Sequence, residues 1–294
     1  MQNKIQEAVD QLNTLGYYKI NAIDALDNDG LSMFNNNIEF FNTMLNSEYI
    51  QHELNVIQND PYERHARSGG KPFEITHYHY LNRALTINDG SFFKLYLHNY
   101  FTKIASTFLE VDNPQVFNIL TWIHSWNSKY GRQHSQNWHR DREDFKLLKI
   151  FIYYSDVTEK NGPFEYVPKS FCGGDFYGLY ENRNGYWDYT KDENNSGAPL
   201  SNEEIELCES TKVSFTGKVG DIIMVNNSGF HRGGFVEDGI RVCTHALYIK
   251  PDAELIKNGY FSSFNYEPNI VNYMDFESQE FQQLYDKQKF FKIN

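Results

Sequence analysis

His139-Arg140-Asp141, followed about ninety residues later by His231 and then by Arg241, is a set of side chains that can support redox chemistry. Two imidazoles and one carboxylate can occupy one face of an octahedral ferrous ion, leaving three positions for a co-substrate and oxygen. In a strand, residues two apart project to the same side, so His139 and Asp141 can grip one ion while Arg140 points away. His231 must come from another strand end, and Phe230-His231-Arg232-Gly233-Gly234 supplies small residues where the backbone can run beside a metal. Arg241 opens the apolar run Val242 to Tyr248. A buried guanidinium there suits one carboxylate of a dicarboxylic acid and gives the contact both charge and direction.

Other residues are candidates for binding. By strand alternation Asn137 shares the facing of His139 and Asp141, so it either touches the co-substrate or bonds a neighbouring strand. Lys149 is a charge in an apolar strand; it meets an acidic group near the site or snorkels to the sheet edge. Trp138 points the other way, toward core packing or substrate stacking. Tyr177, Tyr186 and Trp187 lie in or beside a polar stretch, and Arg67 lies beside Ser68-Gly69-Gly70, where an anionic substrate group could be held. His77 and His79 form a second alternating pair without a compelling third ligand, which places them at a surface or substrate pocket. His124, His134 and His245 read as structural.

The elements that must position these groups fall into two textures. Ile5, Ala8, Val9, Leu12 and Leu15 recur at helical spacing until Gly16, ahead of a strand at Tyr17 to Ile20, and Ser91 to Leu109 is again helical. The region 1–115 therefore reads as largely helical. From Val116 the chain turns to short β-rich runs at Val116–Trp126, Gln136–Asp141, Leu147–Tyr154, Thr211–Phe215, Asp221–Asn226 and Val242–Ile249. Residues 116–250 read as a sandwich or jelly roll, interrupted by a Tyr-rich insert at 181–199 long enough to serve as a lid. In the C-terminal extension 251–294, the stretch 277–291 has the spacing of a helix.

Composition narrows the function classes. The chain has 294 residues, 40% of them hydrophobic, enough for one β-rich catalytic unit with flanking helices. A net charge of -12 without a basic stripe argues against nucleic acid or an anionic membrane as partner, leaving a small molecule. Cys172, Cys208 and Cys243 have no short paired spacing, so neither a disulfide framework nor a thiolate zinc site is expected, and a reducing cytoplasm fits. Met1 to Asp10 lacks the apolar core of a signal peptide, and no run is long enough to span a bilayer. Oligomeric state is not constrained by the sequence.

Ser135 to Asp141, Leu148 to Val157 and Asn161-Gly162-Pro163-Phe164-Glu165-Tyr166-Val167-Pro168-Lys169-Ser170 stand in order with Gly220-Asp221, His231 and Arg241. In this combination the chain resembles the phytanoyl-CoA dioxygenase family of Fe(II)/2-oxoglutarate oxygenases over residues 116–250. The resemblance implies a mainly β double-stranded β-helix with flanking helices. It further implies His139, Asp141 and His231 as iron ligands, Arg241 on the distal carboxylate of 2-oxoglutarate, and O2 as oxidant. The implied reaction is hydroxylation of an unactivated C–H bond with release of succinate and CO2. The same cofactors also serve desaturation, cyclisation and epimerisation, and a metal- or ligand-binding β-barrel without turnover is the alternative of another class. Asp141 argues against halogenation, because related halogenases lack this carboxylate. The family commonly has glycine where this chain has Lys169, and often histidine where it has Phe171.

Overall fold

The computed structural model describes residues 2–59, 74–76, 91–125, 131–132, 134–141, 143–177 and 200–253. Helix α1 (Gln2–Thr14) buries Ala8, Val9 and Leu12 on the spacing read from the sequence. Gly16 ends it at a φ of 86°. A Cβ at this position would lie 2.3 Å from the Tyr166 hydroxyl, so glycine alone makes the turn into β1 (Tyr17–Asn21). Helices α2 (Ala22–Ala25), α3 (Asn28–Leu45) and α4 (Glu48–Asn59) follow. The helical run expected over 91–109 is two helices, α5 (Ser91–Tyr96) and α6 (Asn99–Leu109). His98 breaks it by leaving helical geometry, and its Nδ1 accepts from the Tyr100 N–H at 3.3 Å as a cap.

The remaining strands are β2 (Glu74–Thr76), β3 (Gln115–His124), β4 (Leu148–Tyr153), β5 (Phe164–Tyr166), β6 (Val213–Phe215), β7 (Asp221–Asn226), β8 (His231–Arg232) and β9 (Arg241–Ile249). They form a six-stranded sheet in the order β1-β7-β4-β9-β3-β2 and a three-stranded sheet in the order β6-β5-β8. Among the described residues every pairing is antiparallel. From β3 in the large sheet the chain crosses to the small sheet at His139, which bridges His231, and returns to β4. It crosses again to β5 and β6, returns to β7, crosses to β8 and ends in β9. This alternation between two facing sheets is a double-stranded β-helix, mainly antiparallel β with flanking helices.

Period-two alternation divides the large sheet. Leu148, Ile150, Ile152, Ile222, Met224, Val242, Ala246 and Tyr248 face outward into one core with Ala8, Leu12, Phe34, Phe41, Ile104 and Phe108 of the helices. The intervening Phe151, Tyr153, Ile223, Val225 and Cys243 face Phe164, Tyr166 and Phe215 of the small sheet. Tyr153 ties the layers together: its hydroxyl donates to the Phe215 carbonyl at 3.0 Å and accepts from the Phe164 N–H at 3.1 Å. Burial raises this phenol's pKa above its ordinary value, keeping it a donor.

Two expected strands differ. Gln136–Asp141 is not continuous: His134–Gln136 is a 3-10 turn, and only His139 makes a ladder bridge. Thr211–Phe215 begins instead as the end of helix α7 (Asn202–Thr211), with the strand confined to Val213–Phe215. Helix α7 carries a capping box: Ser201 Oγ accepts from the Glu204 N–H at 3.2 Å and Glu204 Oε2 from the Ser201 N–H at 2.7 Å. The insert 181–199, the stretch 277–291, and His77 and His79 lie outside the described residues. Among the described residues, no helix is long and apolar enough to cross a membrane. The three cysteines are free thiols.

Candidate metal centre

His139, Asp141 and His231 converge, each offering one ligand atom, and these atoms all lie within 4.8 Å of one another. The backbone brings them together: His139 N–H donates to the His231 carbonyl at 3.0 Å, His231 N–H to the His139 carbonyl at 2.9 Å, and Asp141 N–H to the Asn227 carbonyl at 3.0 Å. Each imidazole is oriented by its other nitrogen. Nδ1 of His139 donates to the Asn137 carbonyl at 2.8 Å and Nδ1 of His231 to the Gly229 carbonyl at 2.9 Å. A carbonyl only accepts, so each Nδ1 carries the proton and each Nε2 presents its lone pair. The two Nε2 atoms stand 3.8 Å and 3.4 Å from Asp141 Oδ1. One ion with donor bonds of about 2.1 Å can bridge these spans.

The electrostatics favour the ligating forms. Burial, reinforced by the neighbouring His231, pulls the His139 pKa down to about 3, so its imidazole is neutral at pH 7. Burial alone would raise the Asp141 pKa, but Lys149 and the two imidazoles outweigh it and hold the carboxyl well below the usual range. Burial likewise pushes Lys149 down, while Asp141 and Glu143 bring it back above its ordinary value. The result is a carboxylate and an ammonium in contact, Lys149 Nζ donating to Asp141 Oδ2.

The cavity beside these residues is lined by His124, Gln136, Lys149, Phe151, Tyr153, Phe164, Asn227 and Arg241 as well as both histidines. Arg241 is 4% exposed, and neither Nε nor Nη1 of its guanidinium has a hydrogen-bond partner among the described residues. A buried guanidinium left this way costs several kcal/mol, of order 3–5 when a partner is missing, unless an anion completes it. The donor set and this cation together fit a divalent metal with a dicarboxylate.

Alternation holds where the strand is regular and fails beside it. Arg140 points away from the triad as expected, its guanidinium lying 4.6 Å from the Tyr177 ring centroid and 4.2 Å from that of Phe230. Tyr177 is thus on that far side and does not line the cavity. Asn137 is exposed and serves through its carbonyl, because the 3-10 turn before it cancels the facing expected of a strand. Trp138 is in a separate cluster with Val167, Cys208 and Phe230, its Nε1 donating to Glu209 at 3.2 Å, so it does not line the cavity either. Lys149 reaches Asp141, so of its two readings the structure has the acidic partner and not the sheet edge. Tyr186, Trp187 and Arg67 lie outside the described residues.

Two contributors were not read from the sequence. Asn227, fully buried, donates Nδ2 to Asp141 Oδ2 at 2.8 Å and lies 3.2 Å from His231 Nε2. Its only sequence signal is the Asn226-Asn227-Ser228-Gly229 turn before the ligand strand. Glu209 of α7 holds Arg232, which follows His231, and Trp138, which precedes His139. The Ser201-x-x-Glu204 pattern could have revealed that helix. Lys169, standing where the resembled family has glycine, adopts a φ of 62°, the left-handed region that glycine favours.

No protein-family model matches the chain, and no curated protein matches it. Solved structures do. The epimerase SnoN in complex with Fe3+, alpha ketoglutarate and nogalamycin RO is 12% identical, with a TM-score of 0.49 over 86% of this chain and 86% of that one. HygX from Streptomyces hygroscopicus, with nickel, 2-oxoglutarate and hygromycin B bound, is 15% identical, with a TM-score of 0.46 over 84% and 88%. EctD from S. alaskensis, with 2-oxoglutarate and 5-hydroxyectoine, is 16% identical, with a TM-score of 0.43 over 83% and 75%. Likeness at this level sets no activity for this chain.

Proposed function

We propose that the protein is an Fe(II)- and 2-oxoglutarate-dependent dioxygenase that hydroxylates an unactivated C–H bond of a small or medium organic molecule. His139, Asp141 and His231 would hold the iron, and Arg241 would receive the distal carboxylate of 2-oxoglutarate. The observation that carries this reading is one cavity lined by the two histidines of a His-Asp-His cluster and by Arg241, a buried guanidinium with two nitrogens unpartnered among the described residues. When bound, the metal and co-substrate supply oxidative decarboxylation to succinate and CO2, coupled to substrate oxidation by O2.

The chain's own residues orient and insulate. The Asn137 and Gly229 carbonyls fix the two imidazole tautomers, so their lone pairs face Asp141. Phe151, Tyr153 and Phe164 give the cavity shared by His139, His231 and Arg241 an aromatic lining. In such a low-dielectric setting a guanidinium–carboxylate pair is stronger than in water and holds the co-substrate in one direction.

Anaerobic titration of the protein with Fe(II) and 2-oxoglutarate tests this reading through the visible metal-to-ligand charge-transfer band. The band should appear in the wild type and be lost in Asp141→Ala, which should also make no succinate. A folded wild type without the band would sink the assignment, and so would an Asp141→Ala variant with unchanged turnover. Succinate release across a substrate screen separates an enzyme from a binding protein.

A further inference from the structure

The two oxygens of Asp141 meet different partners. Oδ1 faces the Nε2 atoms of both histidines, whereas Oδ2 accepts from Lys149 Nζ and from Asn227 Nδ2. We propose that Lys149 and Asn227 are positioning residues that reserve Oδ2, so that Asp141 gives the metal one oxygen and no more. This rests on the ligand set proposed above.

Both anchors are fixed by the fold. Lys149 sits in the middle of the large sheet, paired with Val225 on one side and Leu247 on the other. Asn227 is fully buried, and its carbonyl accepts the Asp141 N–H, so the two residues are joined by main chain and side chain at once. The amide orientation follows from the charge it faces: turned over, its oxygen would oppose a carboxylate oxygen.

The number of oxygens matters because carboxylates bind cations through one oxygen or both. Three single-atom ligands leave three of six octahedral positions. A chelating 2-oxo acid takes two and leaves one over. A two-oxygen Asp141 would fill that last position or displace one end of the chelate. Lys149 is costly for a cation site, since an ammonium beside the ligand repels the metal. Its effect on Asp141 gives that cost a function: metal affinity is lowered and coordination space is kept.

The experiment compares the full chain with Lys149→Met, Asn227→Leu and the double variant, each loaded anaerobically with Co(II) or Fe(II). Co(II) affinity is measured by calorimetry, near oxygen neighbours by X-ray absorption, and 2-oxoglutarate affinity by the Fe(II) charge-transfer band. In the double variant, Co(II) should bind at least as tightly as in the wild type. That form should gain one near oxygen neighbour from the protein and bind 2-oxoglutarate at least tenfold more weakly. A folded double variant with wild-type coordination and wild-type 2-oxoglutarate affinity would overturn the proposal. Parallel loss of Co(II) and 2-oxoglutarate would overturn it too, because the pair would then build the site and not limit it. If the double variant does not fold, the single variants are read in the same way, with at least threefold weaker 2-oxoglutarate binding expected. A wild type that binds no Co(II) is a separate result, against the ligand set itself.

Discussion

Lys149 and Ile150 are adjacent in β4 yet face different surroundings. Ile150 is fully buried against the helices with Ile152, Met224 and Ala246, in a cluster of apolar side chains. Lys149 looks the other way, onto Asp141 and into a cavity with two imidazoles and Arg241. The outer face of the large sheet gathers favourable burial, about 1.5–3 kcal/mol per large apolar side chain. The inner face gathers charges that are expensive without a ligand. The same strands thus bury apolar surface on both sides but carry the candidate site only on the inner one, and substitutions at Ile150 and at the site should fail differently.

Arg241→Leu makes the sharpest test. Removing the guanidinium should weaken 2-oxoglutarate at least about thirtyfold, consistent with about 2–5 kcal/mol for losing one partner of a buried charge pair. Thermal stability without co-substrate should be unchanged or higher, because a buried cation has been removed. Unchanged affinity in the charge-transfer titration would remove Arg241 from the site. Ile150→Ala should invert the pattern. Stability should fall by about 2–5 kcal/mol in urea denaturation, while the folded fraction keeps its 2-oxoglutarate affinity. A loss of affinity without a loss of stability would break the division between the faces.

Glu209→Gln should have the smallest effect, and a pH-dependent one. Burial raises this carboxyl, but bonds from Lys212, Arg232 and Trp138 outweigh it and bring the folded pKa down to about 2, from an ordinary 4.5. A depressed carboxylate stabilises the fold above its unfolded pKa, and that stabilisation is lost as pH falls through the window between the two values. The melting-temperature gap between wild type and variant should therefore be constant near neutrality and shrink from about pH 5 toward 2. A gap independent of pH would mean that the Glu209 charge does not hold α7 against Arg232.

Regular periodicity is what made parts of this fold readable. Ala8, Val9 and Leu12 mark α1, and the short apolar runs Leu147–Tyr154 and Val242–Ile249 mark strands that the structure contains as Leu148–Tyr153 and Arg241–Ile249. The spacing of His139, Asp141 and His231 pointed to three side chains that the fold does bring together. Where the backbone departs from a period, the pattern has no purchase. Asn137 follows a 3-10 turn, so strand alternation did not settle its facing, whereas Trp138 packs with Val167, Cys208 and Phe230 on the side that alternation gave it. Asn227 was invisible because its role depends on a turn beside β8 and on a partner 86 positions away in the chain. Lys149 was noticed only as a charge out of place, since its partner is set by tertiary structure.

The bridge between His139 and His231 also has a consequence for how the protein folds. It closes a loop of about ninety residues with two hydrogen bonds, so little local energy favours its early formation. Contacts this distant in sequence are slow to form. His231 reaches the bridge from β8, which is itself paired with β5, so the metal cluster is complete only after that pairing has formed. Acquisition of metal affinity during refolding would then follow the pairing of the small sheet and act as a clock for the meeting of its two ends.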